Sequence, residues 1–226
     1  MFFANRICSL AGATRILEIG PGATPFPRAT HYLELRIDTE EERIRQRGNI
    51  AQAPAFNGKP LKFYDGGPFP FEDGAFDYVI ASHVIEHVED PEFFAREVFR
   101  VGRGYGYFEF PRVTYEFLFD FDVHRHIFCF DPTSRTLCYL PKADLPFKAF
   151  EPVTAQLRPM LENNWMDVIK LNPDYFFQGF EFDQPFEVRR VASLSELPPS
   201  GIPLPRRSRW AAAGSQLLTK FLGRSF

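Results

Sequence analysis

Residues 15–22 read RILEIGPG. The run at 15–19 is short, apolar and ends at Gly20, which is the pattern of a buried strand closed by a glycine turn. Glycine lets the backbone approach a ligand closely, and in open α/β sheets ligands sit at the carboxyl ends of the strands. The same rhythm continues outward. Strands are expected at 31–35, 61–64, 76–81 and 105–110. A capping box from Thr39 to Glu42 opens a helix through about residue 48. Asp90 and Pro91 supply an N-cap and a first-turn proline, and Phe94, Val98 and Val101 follow on one face. Strands alternating with helices and loops predict an α/β fold with a mostly parallel sheet.

The turn limits what the ligand can be. A dinucleotide site wants a third glycine so that a helix N-terminus can reach a pyrophosphate. Pro25 stands where that glycine would fall. Thr24 could cap a short helix beginning at Pro25, but little chain remains before the next strand. A nucleoside without a phosphate therefore fits better, and a nicotinamide oxidoreductase is disfavoured. Three acids stand near three successive strand ends. Glu18 precedes the turn. Glu34 can accept hydrogen bonds from both ribose hydroxyls, with Asp38 competing if the strand runs longer. Asp65, beside Gly66, can accept from an adenine amino group.

The stretch IASHVIEHVEDP (80–91) contains H-x-x-E-H, a spacing used by some zinc hydrolases. Zinc would need His83 and His87 on one helix face and a distant third ligand such as Glu109. Ser82 and His83 instead follow directly on a buried strand, so no metal is expected.

Taken together, ILEIGPG (16–22), FPFEDGAFDYVIASHVIEHVEDP (69–91) and VGRGYGYFEFPR (101–112) resemble the class I S-adenosylmethionine-dependent methyltransferases, the type 11 group in particular. The resemblance covers roughly the first half of the chain. It implies a Rossmann-like sheet of about seven strands with an antiparallel hairpin near one edge. It implies that Glu18, Gly20, Pro21 and Gly22 shape the methionine end of an S-adenosyl-L-methionine site, and that Glu34 holds the ribose. Asp65 and Gly66 would border the adenine, and Ser82 and His83 would line the place where the methyl group is presented. The segments between the first and second strands, and between the third and fourth, are too short for the full helices of that family.

The second half reads differently. Segments 126–130 and 136–140 flank a turn and predict a hairpin. Residues 186–191 could add a strand. Residues 141–184 lack clear periodicity and read as a lid or insertion within a methyltransferase domain at 1–192. A proline-rich linker begins at 193, and a helix is expected at 208–222. That helix sets Trp210, Gly214, Leu217 and Phe221 on one face, flanked by basic residues. It would dock on its own domain or a second copy, or stay frayed, with peripheral contact to an anionic membrane as the alternative.

Methyl transfer is an in-line displacement that draws on alignment and desolvation, and a neutral histidine can remove the acceptor's proton. His83 and His124 are the candidate bases. Arg125 could grip an acidic group on the acceptor, and Tyr115 could face the sulfonium. A net charge of −3 gives no general attraction to nucleic acid. Three scattered cysteines and no leader-like apolar core point to a reducing, cytoplasmic setting. The expected activity is methyl transfer to a small-molecule or glycan-linked oxygen or nitrogen. The rival is a catalytically silent relative that binds the cofactor or a partner.

Overall fold

The computed structural model describes residues 1–47 and 56–199. In chain order the strands are β1 (Ile16–Ile19), β2 (His31–Leu35), β3 (Leu61–Tyr64), β4 (Tyr78–Ser82), β5 (Gly106–Pro111), β6 (His126–Asp131), β7 (Thr136–Pro141), β8 (Phe177–Phe182) and β9 (Glu187–Arg190). The helices are α1 (Glu40–Arg47), α2 (Pro91–Val101), α3 (Val113–Phe119), α4 (Phe147–Leu171) and α5 (Pro173–Phe176). The main sheet runs β3-β2-β1-β4-β5-β8. Its first five strands are parallel neighbours, and β8 pairs antiparallel with β5. This is the α/β, mostly parallel architecture that the sequence predicts.

Position in the sheet explains the strand compositions. β1 is buried throughout, as a strand covered on both faces must be. β3 is the edge and carries Lys62 on a half-exposed strand, which discourages edge-to-edge pairing. Asp90 caps α2 by accepting from the Phe93 amide at 2.9 Å, and Phe94, Val98 and Val101 are buried. Thr39 caps α1 through its hydroxyl, which accepts from Glu42 N at 3.2 Å.

Two differences from the sequence reading concern the second half. The hairpin β6–β7 does not border the main sheet. It forms a separate three-stranded sheet with β9, in the order β6-β7-β9. Aromatic rings join the two sheets: Phe130 stacks on Phe180 with centroids 3.6 Å apart and planes at 3°. The main sheet's antiparallel edge is β8, which lies inside the stretch read as a lid or insertion. Its alternation is interrupted by Gly179, where a Cβ would sit 2.2 Å from the Tyr107 hydroxyl. The rest of that stretch is helix α4, whose pattern is broken by Pro152 and Pro159 inside the helix, followed by α5. The helix expected at 208–222, with its membrane-contact alternative, lies outside the described residues. Among the described residues no helix is long and apolar enough to cross a membrane.

The short connections have consequences for packing. The Thr24–Pro25 helix does not form; residues 20–30 are turns and irregular chain. The face bearing Ile16, Tyr78, Ile80 and Tyr107 is covered by Phe3, Leu10, Phe176 and Phe177, so coil from the N-terminal segment does work a helix would otherwise do. On the other face α2 and the small sheet bury Leu17, Ile19, Val79, Phe108 and Phe110. The loop between β3 and β4 is pinned by Arg100, which donates to the carbonyls of Phe69 at 3.1 Å and Phe71 at 2.7 Å and to Glu97 at 2.6 Å. Glu97 in turn accepts from Phe69 N at 2.7 Å. Arg100→Ala should lower the unfolding free energy by about 1–3 kcal/mol, because charge-assisted bonds to a loop and a largely buried carboxylate are lost. The urea midpoint reads this, with Arg100→Lys recovering only part; an unchanged midpoint for Arg100→Ala would show the loop is held by other contacts.

Candidate active site

The carboxyl ends of β1, β2, β3 and β4 open into one cleft of about 1160 Å³. Every site residue expected from the sequence lines it: Glu18, Gly20, Pro21, Gly22, Glu34, Asp65, Gly66, Ser82, His83, Tyr115, His124 and Arg125. Asp38 does not, so Glu34 is the acid that the second strand brings to the cleft.

At the β1 end, Gly20 has φ +62°, and a Cβ there would lie 2.6 Å from Val84 Cγ2. Conformation and space both demand glycine. Glu18 is buried behind the turn and accepts from Phe26 N at 2.7 Å. Burial pushes its carboxyl up to about 7, despite the opposing pull of the Phe26 amide. Glu34 accepts from Leu35 N at 3.0 Å. Asp65 accepts from Gly67 N at 3.2 Å, which fixes the turn after β3.

At the β4 end, His83 adopts φ +57°. Its Nε2 lies 3.0 Å from Glu109 Oε1 and its Nδ1 3.4 Å from Glu86 Oε1. Burial disfavours the imidazolium, but the hydrogen bond to Glu109 and the nearby charge of Glu86 outweigh it and raise His83 to about 9. Glu109 also accepts from Ser82 Oγ at 3.0 Å, the Tyr107 hydroxyl at 2.6 Å, and the amides of Phe2 at 2.8 Å and Phe3 at 3.0 Å. Burial would raise its carboxyl; the His83 contacts and the Tyr107 hydroxyl instead bring it to about 2.

The cleft continues past β4 into a region built by the 3₁₀ turn Ile85–His87, by α3 and by residues 121–125. His124 Nδ1 meets Glu116 Oε1 at 2.5 Å, and Glu116 Oε2 takes Lys142 Nζ at 3.0 Å. The rings of His87 and His124 are 4.7 Å apart. Phe2 stacks on Phe177 at 4.1 Å, and both rings meet His83 edge-on. Tyr115 packs against Phe177 at 4.9 Å. Arg125 is exposed on the rim, its amide donating to Glu86 O at 2.7 Å.

Sequence reasoning missed Glu86, Glu116 and Lys142, and it took Glu109 only as a distant zinc ligand. Glu86 stood inside the H-x-x-E-H stretch. Glu116 and Lys142 carried no local signal. The zinc arrangement considered from the sequence does not form: His83 sits at a strand end before the turn that carries His87, and its two ring nitrogens face carboxylates.

This strand order, with a glycine turn after β1 and acids at the next two strand ends, is the mostly parallel α/β arrangement that the sequence resemblance implies. Residues 17–110 match the family described as "Methyltransferase domain". Over that segment, which is under half of the chain, the sequence is similar to the methyltransferase domain. Over 66 residues it is 36% identical to ajmaline N-methyltransferase of Rauvolfia serpentina, an alignment covering 29% of this chain and 23% of that protein. The chain thus spans under a quarter of that relative's length. An S-adenosylmethionine-dependent methyltransferase of Mesorhizobium loti aligns at 20% identity and TM-score 0.36, covering 55% of this chain and 56% of that one. An S-adenosylmethionine-dependent methyltransferase of Aquifex aeolicus aligns at 15% identity and TM-score 0.27, covering 43% and 55%. Structural overlaps at this level add nothing to the assignment.

The residues present fit S-adenosylmethionine. The turn after β1 leads into no helix, so it builds no helix N-terminus for a pyrophosphate. The acid set offers acceptors for a ribose diol, an adenine amine and an ammonium. Because Glu18 titrates near 7 and a cationic ligand favours its ionised form, affinity should be lost as pH falls through that value. Between pH 7 and 5.5 the ligand's own ammonium stays charged, and Kd for S-adenosylmethionine should rise by roughly ten-fold. Calorimetry on the wild type and Glu18→Gln checks this: the variant should bind more weakly and without that slope. A parallel slope in the variant would assign the titration to another group.

Proposed function

We propose that this protein transfers the methyl group of S-adenosylmethionine to an oxygen or nitrogen of a small-molecule or glycan-linked acceptor. The observation that supports it best is the continuity of the cleft. One cavity joins the acids suited to a nucleoside with an aromatic and polar chamber beyond the β4 end, with room for a second ligand. The cofactor, when bound, supplies a methyl carbon on a sulfonium, so the departing group is a neutral thioether.

The chain's part is to bind, align and exclude water. Glu18 and the 20–22 turn hold the methionine portion, Glu34 the ribose hydroxyls and Asp65 the adenine amine. Ser82 and the Phe2–Phe177 stack border the reacting centre. With the cofactor bound, these residues would hold the acceptor atom against the methyl carbon, and the acceptor's proton would pass to a nearby group or to solvent. Of the two histidines considered as bases, His83 has both nitrogens turned to Glu109 and Glu86, with no lone pair free for an acceptor. It is a positioning residue in this reading. His124, with Nδ1 held by Glu116, keeps Nε2 to meet the acceptor. Arg125 on the rim suits an acidic group of the acceptor, and Tyr115 lines the chamber.

The same reading takes residues 1–192 as one catalytic domain working in a reducing, cytoplasmic compartment. Helix α4 supports α3 from outside: Arg158 donates to Leu118 O at 3.2 Å, and none of the described α4 residues lines the cleft. Acceptor screening for S-adenosylhomocysteine formation tests the activity. With an acceptor in hand, His124→Ala should cut kcat by roughly 10²-fold and leave Kd for the cofactor unchanged. Full cofactor binding with no turnover on hydroxyl, amine or glycan acceptors would favour the catalytically silent reading.

A further inference from the structure

We propose that Glu86, His87 and His124 form a binding site for one divalent first-row transition cation at the acceptor end of the cleft. One donor atom from each of the three lies within 4.8 Å of the other two. All three residues line the cleft.

The first support is a buried carboxylate without hydrogen bonds. Glu86 is 0% exposed, and neither of its oxygens accepts a hydrogen bond among the described residues. His83 Nδ1, 3.4 Å from Oε1, is near enough for ion pairing but lacks hydrogen-bond geometry. Buried polar atoms are nearly always satisfied, so two orphaned oxygens on one ionisable group ask for a missing partner. The second support is His87, whose Nδ1 is buried and likewise without a partner. The third is the way His124 is held. Its Nδ1 meets Glu116, which is anchored by Lys142, and this leaves Nε2 as the atom for an ion. A carboxylate behind an imidazole is the usual arrangement around metal-bound histidine, because it fixes the tautomer and raises the basicity of the other nitrogen.

The backbone holds the two halves of the site together, since Arg125 N donates to Glu86 O at 2.7 Å. Donor atoms sharing one ion lie about 3–3.5 Å apart for bonds of about 2.1 Å, so modest side-chain rotation closes the cluster. Two imidazoles and one carboxylate suit Zn²⁺, Mn²⁺ or Fe²⁺ rather than Ca²⁺ or Mg²⁺. Three protein ligands leave coordination positions open. These face the cleft and take oxygen donors of the acceptor, a hydroxyl pair or a carboxylate. With a cation bound, His124 Nε2 is its ligand and no longer the base, and the acceptor's proton leaves the cation-bound oxygen to solvent. The H-x-x-E-H stretch supplies Glu86 and His87 to this site, while His83 belongs to Glu109. The role toward the acceptor rests on the proposed methyl transfer; the cation site does not.

The test uses the full chain, stripped with a chelator and titrated with Mn²⁺ while the free-ion paramagnetic resonance signal is followed, with Zn²⁺ as competitor. Calorimetry with S-adenosylmethionine is run on the same samples. The wild type should retain one Mn²⁺ per chain and melt at a higher temperature when loaded. Glu86→Gln and His124→Asn should weaken retention by roughly ten-fold or more. The shortened but still charged Glu86→Asp, which preserves the charge next to His83, should weaken it too. A wild type that binds S-adenosylmethionine but retains no Mn²⁺ or Zn²⁺ overturns the proposal. So does undiminished retention by folded Glu86→Asp and His124→Asn. Loss of cofactor binding with metal retention intact would instead count against the methyltransferase reading alone.

Discussion

Glu109 is the buried charge around which the site is organised. It is 0% exposed, and it gathers His83 Nε2, the Ser82 and Tyr107 hydroxyls and the amides of Phe2 and Phe3. A carboxylate taken out of water is tolerable only when paired and hydrogen-bonded, so these donors are not interchangeable decoration. Through them the ends of β4 and β5 are locked side by side, and the N-terminal segment is drawn across the mouth of the cleft. His83 carries the charge onward to Glu86. The β4 and β5 ends and the turn that carries Glu86 are thereby joined by one ion-paired chain of side chains.

That arrangement offsets what the short connections leave out. With no helix after β1 and none between β3 and β4, one face of the sheet would lie open. Phe3, Leu10, Phe176 and Phe177 close it, and Arg100 fixes the loop before β4. The abundance of phenylalanine in the chain follows from this need: rings bury large areas without requiring a helix to carry them. The stack of Phe2 on Phe177 serves packing and site at once, since the same pair borders His83.

The features legible in the sequence were those set by near neighbours. The strand before Gly20, the Asp90 cap, and the acids at 34 and 65 depend on periodicity, turn chemistry and chain order, and each lies where the sequence places it. The features that escaped are set by contacts across long stretches of chain. β8 hides because Gly179 must make room for Tyr107, which breaks its alternation. The hairpin's sheet depends on ring stacking between Phe130 and Phe180. Cys129 and Cys138, scattered in sequence, face each other across β6 and β7 as free thiols. The role of His83 could not be read locally, because Glu109 reaches it from the neighbouring strand. The H-x-x-E-H letters raised a metal question; the three residues proposed for a cation, Glu86 and His87 with His124, come together only when the chain from 121 to 125 is folded back against the turn.

The central claim is that the cleft holds a nucleoside without a phosphate, between Glu34 and Asp65, with its sulfur beside Ser82 and His83. A crystal structure of the chain with S-adenosylhomocysteine tests this most directly. The ribose hydroxyls should lie within hydrogen-bond distance of Glu34, the adenine amine at Asp65, and the sulfur at the β4 end facing the chamber of His124. A nucleoside seated elsewhere, or one whose ribose and adenine touch neither acid, would contradict the account.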